Sequence, residues 1–501
     1  MNKEPFVSDA LDCAQIAPVT ETTTPPTGGK RNGKADPGRM GRLPIGKLLI
    51  EFSLPAIVSM IISSLYNVID TAVLGWAVGT DGVAVTTLAL PVMILLAGCS
   101  MLAGVGGNAL AALELGAGRL DKVEKALGNT TILLVAISAI VALIAIILID
   151  PVLTIIGTTP TLWEQTKIFV QIVCIGCVFQ SLGNGLNNFL RTAAKPMMAT
   201  ITQIIGAIMC IIFNLLFVMA MGLGVAGSAL ATILGQAFGG APVLWYFLFS
   251  KNAPFRLKLK CMAADLRLMG KICALGMASF IMQCASTVVA IVLNQVVNVY
   301  GAMDPLGVDN GLAAIGVAQK AGYFGITPII GLTMGMQPII GFNVGAKKWD
   351  RVIKTLKWSI IDGCLIGAFF WTCFHLWPTQ IVNLFGVSGD IESFTARSLT
   401  MYSFFLPLVG GQIVAGSYFQ SSGQPAKASI LELIRQVVFL IPAYLLLPNI
   451  LLNLFPLGSL EAVVVCSPIC DFLAVIVTLF FLVIELRKLF ALRAAMKLPQ
   501  A

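Results

Sequence analysis

Charged residues are scarce in this chain: Asp, Glu, Lys and Arg make up 11% of its 501 residues, against 57% hydrophobic, and the mean hydropathy is +0.90. Soluble domains carry about 25% charged residues, so a soluble enzyme, and a receptor or scaffold built on a large soluble domain, are excluded. Histidine is nearly absent, His375 being the one example, which removes HExxH zinc chemistry. His375 lies near a predicted helix end and reads as a packing residue. No GxxxxGK[ST] run is present to cradle nucleotide phosphates, and no potassium-filter sequence appears. Residues 1–41, which include TETTTPPTGGKRNGK, hold no apolar core segment and so form no signal peptide; they read as a disordered cytoplasmic tail.

Cysteine is present but uninformative about redox chemistry. Most of the 12 cysteines fall inside apolar stretches. The Cys174/Cys177 and Cys466/Cys470 spacings have no histidine or acid cluster beside them, so they read as small packing residues, with no metal site and no disulfides.

What the chain has in abundance is long apolar runs. They do not alternate, which excludes a membrane β-barrel, and they are long enough to cross a bilayer as helices. The expectation is an all-α polytopic membrane protein of twelve spans, at about 46–74, 84–113, 128–149, 163–190, 196–219, 225–249, 268–299, 312–343, 356–377, 394–420, 426–447 and 460–485. The net charge of +8 sits in alternate loops: Arg119, Lys122 and Lys125; Lys251, Arg256, Lys258 and Lys260; Lys347, Lys348, Arg351 and Lys354; Arg487, Lys488, Arg493 and Lys497. The loops between them are nearly free of Lys and Arg, which places both termini in the cytoplasm and argues against a nucleic-acid partner.

The chain also repeats itself. LGAGRLDKVEKAL (115–127) aligns with VGAKKWDRVIKTL (344–356), and FLRTAAKPMMATI (189–201) with YFQSSGQPAKASI (418–430), both at an offset of 229. An even number of spans per copy gives two parallel six-helix repeats, able to rock against one another across a shared cleft. The predicted parts are an N-lobe at 42–250, a cytoplasmic linker at 251–267, a C-lobe at 268–487 and a C-terminal tail at 488–501.

Within the first span, Phe52–Gly75, one carboxylate stands alone: Asp70. An ionised acid at mid-bilayer costs at least about 2.5–3.5 kcal/mol, so it must face a cavity, a partner or a proton. Tyr66 and Asn67 precede it on the same helix face, with Ser63 a turn earlier. The aligned second-half position, at an offset of about 221, is Ile291, so ion coupling is assigned to the N-lobe. Asn214 in the fifth span is the next polar group able to share a cavity with Asp70. Gln236 and Asn188 in the N-lobe, and Gln283, Asn294, Lys320 and Asp471 in the C-lobe, are candidates for lining a substrate cavity. Glu432 and Arg435, spaced i and i+3, read as a local ion pair. With no ATP loop, secondary transport is the class left standing.

LPAIVSMIISSLYNVIDTAVLG, GVGGNALAALELGAGRLDKVEKALGN, GLGVAGSALATILGQ, MQPIIGFNVGAKKWDRVIKTLK and CSPICDFLAVIVTL resemble the MATE family of multidrug exporters, in its MepA-like branch, over roughly residues 45–487. The resemblance implies the MATE fold and efflux of amphipathic organic cations or drugs in exchange for H⁺ or Na⁺. It also implies a bacterial cytoplasmic (inner) membrane location, no cofactor and no enzymatic activity; the chain is expected to act as a monomer in the bilayer. Asp70 matches the family's first-helix acid. The family often carries Asn-x-x-x-Asp in the fifth helix, ten residues before Gly-Val-Ala-Gly; here those positions are Cys210 and Asn214. A single N-lobe carboxylate fits a proton better than Na⁺, which wants several oxygen ligands. A flippase for a lipid-linked precursor is the alternative within the superfamily, and it would need a basic central cleft.

Overall fold

The computed structural model describes residues 36–495 except 79, 157, 159, 259–262 and 386–388; the side chains of a few helical residues, Asn67 among them, also lie outside the described residues. The expected tail of residues 1–41 falls mostly outside them as well. Eleven of the described helices are long and apolar enough to cross a membrane. They are α1 (Ile45–Val78), α2 (Thr80–Gly116), α3 (Leu120–Ile147), α4 (Trp163–Thr192), α5 (Pro196–Asn214, continued by a π-turn, Leu215–Ala220), α6 (Gly224–Phe249), α7 (Leu266–Gly301), α8 (Val308–Gly345), α9 (Trp349–Leu376), α11 (Pro425–Leu433, a π-turn Ile434–Leu440, then Ile441–Leu454) and α12 (Ser459–Ala495). The remaining span, α10, is a bent pair, Glu392–Tyr402 and Leu406–Ser421, which meet at 49°. Pro407, near the start of the second piece, has no N–H to continue the ladder, and the Ser403 hydroxyl donates back to the Leu399 carbonyl at 2.7 Å.

The result is a twelve-span, all-α fold of two six-helix repeats. Lipid gives helices little hydrophobic reason to associate, so contacts depend on small residues that let backbones approach. In the first repeat, α4 and α6 touch at Gly183 and Gly240, and α5 and α6 at Cys210 and Gly235. In the second, α9 and α10 touch at Gly363 and Gly410.

The two repeats meet through α1 on α8 and α2 on α7. A Cβ added at Gly276 would lie 1.8 Å from the Leu102 carbonyl oxygen, at Gly106 2.0 Å from that of Ile272, at Gly345 1.9 Å from that of Leu113, and at Gly335 2.5 Å from the Ser53 Cα. These contacts all sit in the half of the molecule that carries the basic turns at Arg119 and Lys347–Lys348, called here the basic end.

The chain start strengthens that closure. Pro37–Gly41 forms a 3₁₀ turn capped by the Asp36 side chain, and Met40 is fully buried, so these six residues are ordered where a loose tail was expected. Arg351 Nη2 donates to the Met40 and Leu43 carbonyls at 2.9 and 2.6 Å, Asn343 Nδ2 to Met40 at 3.1 Å, and Lys348 Nζ to Gly41 at 2.9 Å. A segment leading into the first repeat is thus strapped to the second. Arg493, near the end of α12, pairs with Asp350 at 2.5 Å, so the last described turns lie at the same end.

Candidate functional site

The side chain of Asp70 points into the first repeat, away from the second. At about 100° per residue, Ser53, Ile57 and Ser64 share the face of α1 that packs on α8, while Ser59, Tyr66 and Asp70 share the opposite face, turned toward α5 and α6. There Asp70 Oδ1 accepts from Asn214 Nδ2 and, at 3.4 Å, from the Ser228 hydroxyl. Ser59 donates to Gln203 on α5, and Tyr66 bonds the Gln236 side chain. Cys210 Sγ lies 3.8 Å from Asn214 Nδ2 and bonds Thr232. Asn67 has its backbone in α1 but its side chain lies outside the described residues.

Two features of this chamber were missed from the sequence. Ser228, Thr232 and Gln236 are spaced i, i+4, i+8 and form one polar stripe down α6; the run GSALATILGQ shows that spacing to anyone counting by helical turns. Asn214 is 1% exposed, and its Oδ1 makes no hydrogen bond among the described residues. It also stands directly before the π-turn of α5, the kind of irregularity that re-aims side chains at functional sites. Among the described residues every partner of the Asp70 carboxylate is neutral, and a carboxylate oxygen and an amide oxygen stand together as acceptors. That set suits a proton or a monovalent cation.

Away from the basic end, the helices that join the repeats carry polar and exposed residues. Contacts toward the far end include Ser64 to Thr327, at 3.5 Å, and Gly98 to Gln283. On α8, Lys320 lies within about 20° of the direction of Gly331 and Thr327, yet it is exposed. Tyr323 beside it is 57% exposed, and a Cβ at Gly316 would meet nothing within 4 Å. On α7, Asn294 shares the face of Gly276 and Gln283 and is exposed, with Asn298 a turn further on. Gln283 thus lies where α7 meets α2, while Asn294 and Lys320 lie further along the same faces of α7 and α8 and are exposed. Asn188 is buried, and its Oδ1 accepts from Arg191 Nη1 at 3.0 Å. Gln236 belongs to the Asp70 chamber instead.

The second repeat handles its acid differently. Asp471 on α12 accepts from Arg435 Nε and Nη2 at 3.1 and 2.9 Å, and Tyr402 bonds Ser467 next to them. The expected Glu432–Arg435 pair is not formed among the described residues. Arg435 sits inside the π-turn of α11 and is turned to α12, where two directed bonds to one carboxylate outweigh a weak i, i+3 contact. Asp471 thus lines a small cavity with Gly322, Ile326 and Tyr402, but its charge is spent on Arg435. His375 packs, stacked on Trp371 at 4.3 Å between ring centroids.

Comparison with known proteins agrees with this architecture. The multidrug export protein MepA of Staphylococcus haemolyticus is 25% identical over 444 residues, covering 89% of this chain and 94% of its own; MepA of Staphylococcus aureus strain MSSA476 is 24% identical over 87% and 93%. A crystal structure of MATE in complex with MaD3S superposes with a TM-score of 0.83 at 20% identity, covering 92% of this chain and all of its own. The outward-facing conformation of a multidrug resistance MATE family transporter gives 0.84 at 20% identity, with 92% and 99% covered. The MatE family model matches twice, at residues 55–216 and 278–445, once in each repeat, and the chain therefore belongs to the MatE family.

Proposed function

We propose that this protein is a secondary transporter that expels amphipathic organic compounds from the cell, using proton entry at Asp70 to drive a change in which side the cleft opens to. The MepA relatives, named as multidrug exporters, support the export reading. The basic end is the cytoplasmic one by the distribution of Lys and Arg. The arrangement described above is then closed to the cytoplasm and open outward.

One observation carries the coupling: among the described residues, a carboxylate inside the first repeat is held only by neutral groups, on the helix face opposite the one that closes on the second repeat. When Asp70 is ionised, Asn214 Nδ2 donates to it. When Asp70 takes up a proton, its hydroxyl needs an acceptor, and rotation of the same amide presents Asn214 Oδ1. The group thus has a satisfied arrangement in both charge states, at the cost of re-seating α5 against α1. Proton uptake from outside would change that seating, and with it the angle at which α1 meets α8. No group of three or more His, Cys, Asp or Glu that could hold a metal ion occurs among the described residues. Asp70 as the lone acid of this chamber favours H⁺ over Na⁺.

The test is export of a cationic dye from vesicles carrying the purified protein, with either a pH gradient or a Na⁺ gradient imposed. A pH gradient alone is expected to drive export. Export that follows Na⁺ and ignores the pH gradient would overturn the proton reading.

A further inference from the structure

We infer that residues 40–43 form a releasable latch on the basic end, and that this end opens on one side: the α1–α8 seam parts, and the α2–α7 seam is the hinge. Arg351 is the positioning residue of the latch. The inference rests on the reading given above, that the two repeats rock against one another.

At the basic end the chain enters each repeat through a short segment, and each time the other repeat holds that segment. On the way into α1, the Met40, Gly41 and Leu43 carbonyls accept from Arg351, Lys348 and Asn343 of the second repeat. On the way into α7, Asn129 of α3 grips the entry with both ends of its amide. Its Nδ2 donates to the Ala263 carbonyl at 3.3 Å, and its Oδ1 accepts from the Asp265 N–H at 2.9 Å. The Asp265 carboxylate then caps α7, accepting from the N–H groups of Arg267 and Leu268. By the offset of 229, Arg351 corresponds to Lys122 on α3, so the two grips occupy equivalent places in the two frames.

The covalent chain separates them. The segment that enters α7 also leaves α6, and its earlier part stays on the first repeat. Phe255 is buried and stacks on Phe247 at 5.7 Å between ring centroids, and Lys258 pairs with Glu124 at 2.5 Å. Such a tether keeps the start of α7 near α3 at high effective concentration, as a hinge requires. Residues 40–43 instead travel with α1, to which Arg39 is tied through Glu51 at 2.9 Å. Their bonds to the second repeat must break when α1 leaves α8. The donors can let go at small cost. Lys348 is exposed and Arg351 half-buried, so water can replace the carbonyls. Asn343 is fully buried, but it keeps the Ile339 carbonyl at 2.8 Å and Arg351 Nε at 3.1 Å.

Two cysteines report on the two seams. Ser53→Cys sits at the latch seam, where Ser53 is buried against Gly335 of α8. The native Cys273 sits at the hinge seam, next to Ile272, whose carbonyl meets Gly106 of α2. Maleimide labelling of each is followed by peptide mass spectrometry in the full-length protein carrying Ser53→Cys. Adding Arg351→Gln is expected to speed labelling at position 53 by about tenfold, the loss of one charge-assisted bond, and to leave Cys273 unchanged; Arg351→Lys should fall between. A chain lacking residues 2–43 should label at position 53 at least as fast, and Arg351→Gln should add nothing in that background. No acceleration, or a further one in the shortened chain, would overturn the latch; equal acceleration at both cysteines would overturn the hinge. Cys174, fully buried, stays unlabelled while the fold is intact. If Arg351→Gln exposes it, Lys348→Gln, at an exposed position, carries the same comparison. Gradient-driven dye export by the wild type is scored separately. Its absence counts against the transport reading, while the labelling ratio still reports on the latch.

Discussion

The two repeats answer the same problem, an acid within a span, in opposite ways. Asp70 in the first is surrounded by an amide and a hydroxyl; Asp471 in the second is clasped by Arg435 through two hydrogen bonds. An acid held by neutral groups changes the local charge whenever it gains a proton. An acid held by a guanidinium forms a neutral pair, and loss of one partner would leave the other uncompensated. The two frames are similar; on the coupling proposed above, the first is the responsive one and the second the fixed one. The irregular turns of the two frames differ as well. In α5 the π-turn follows Asn214, whereas in α11 it encloses Arg435, ten residues earlier than the offset of 229 would place it.

The difference can be broken from the fixed side first. Arg435→Met leaves Asp471 without its cation and is expected to destabilise the protein by about 3–5 kcal/mol, read as a lower thermal midpoint in detergent. Adding Asp471→Leu should recover most of the loss, since an apolar pair of similar volume is tolerated where a single buried charge is not. Failure of the double variant to recover would mean that the pair does more than neutralise itself.

The responsive side should yield less in stability. Asn214→Leu removes the amide that bonds Asp70 and is expected to cost about 1–3 kcal/mol. In a double-mutant cycle with Asp70→Leu, the coupling should be about 0.5–3 kcal/mol. A cycle with no coupling would mean that the two side chains do not act together, and the neutral-partner account of Asp70 would lose its basis.

Much of the fold was legible because a bilayer constrains helices by length and apolar content, and because the turns at 115–127 and 344–356 keep their repeat. The break in α10 was not, since Pro407 directly follows the apolar Phe404, Phe405 and Leu406 and reads like any proline within a span. Asp70 stood out as a lone acid, but its partner Ser228 lies 158 residues away, and a hydroxyl in a small-residue run gives little signal. The Glu432–Arg435 reading failed for a related reason. Local spacing governs isolated helices, whereas Asp471, 36 residues on, reaches Arg435 only through the packing of α11 on α12. The strap at Met40 was hidden because its bonds go to backbone carbonyls, which leave no mark on residue identity.

The account depends most on Asp70, and one comparison addresses it: pH-gradient-driven export against gradient-free exchange of labelled for unlabelled dye, in vesicles, for the wild type and Asp70→Asn. The expected result is that the variant exchanges dye at close to the wild-type rate but no longer accumulates it against a gradient. Driven export that persists undiminished in Asp70→Asn would contradict the assignment of the coupling group to the first repeat.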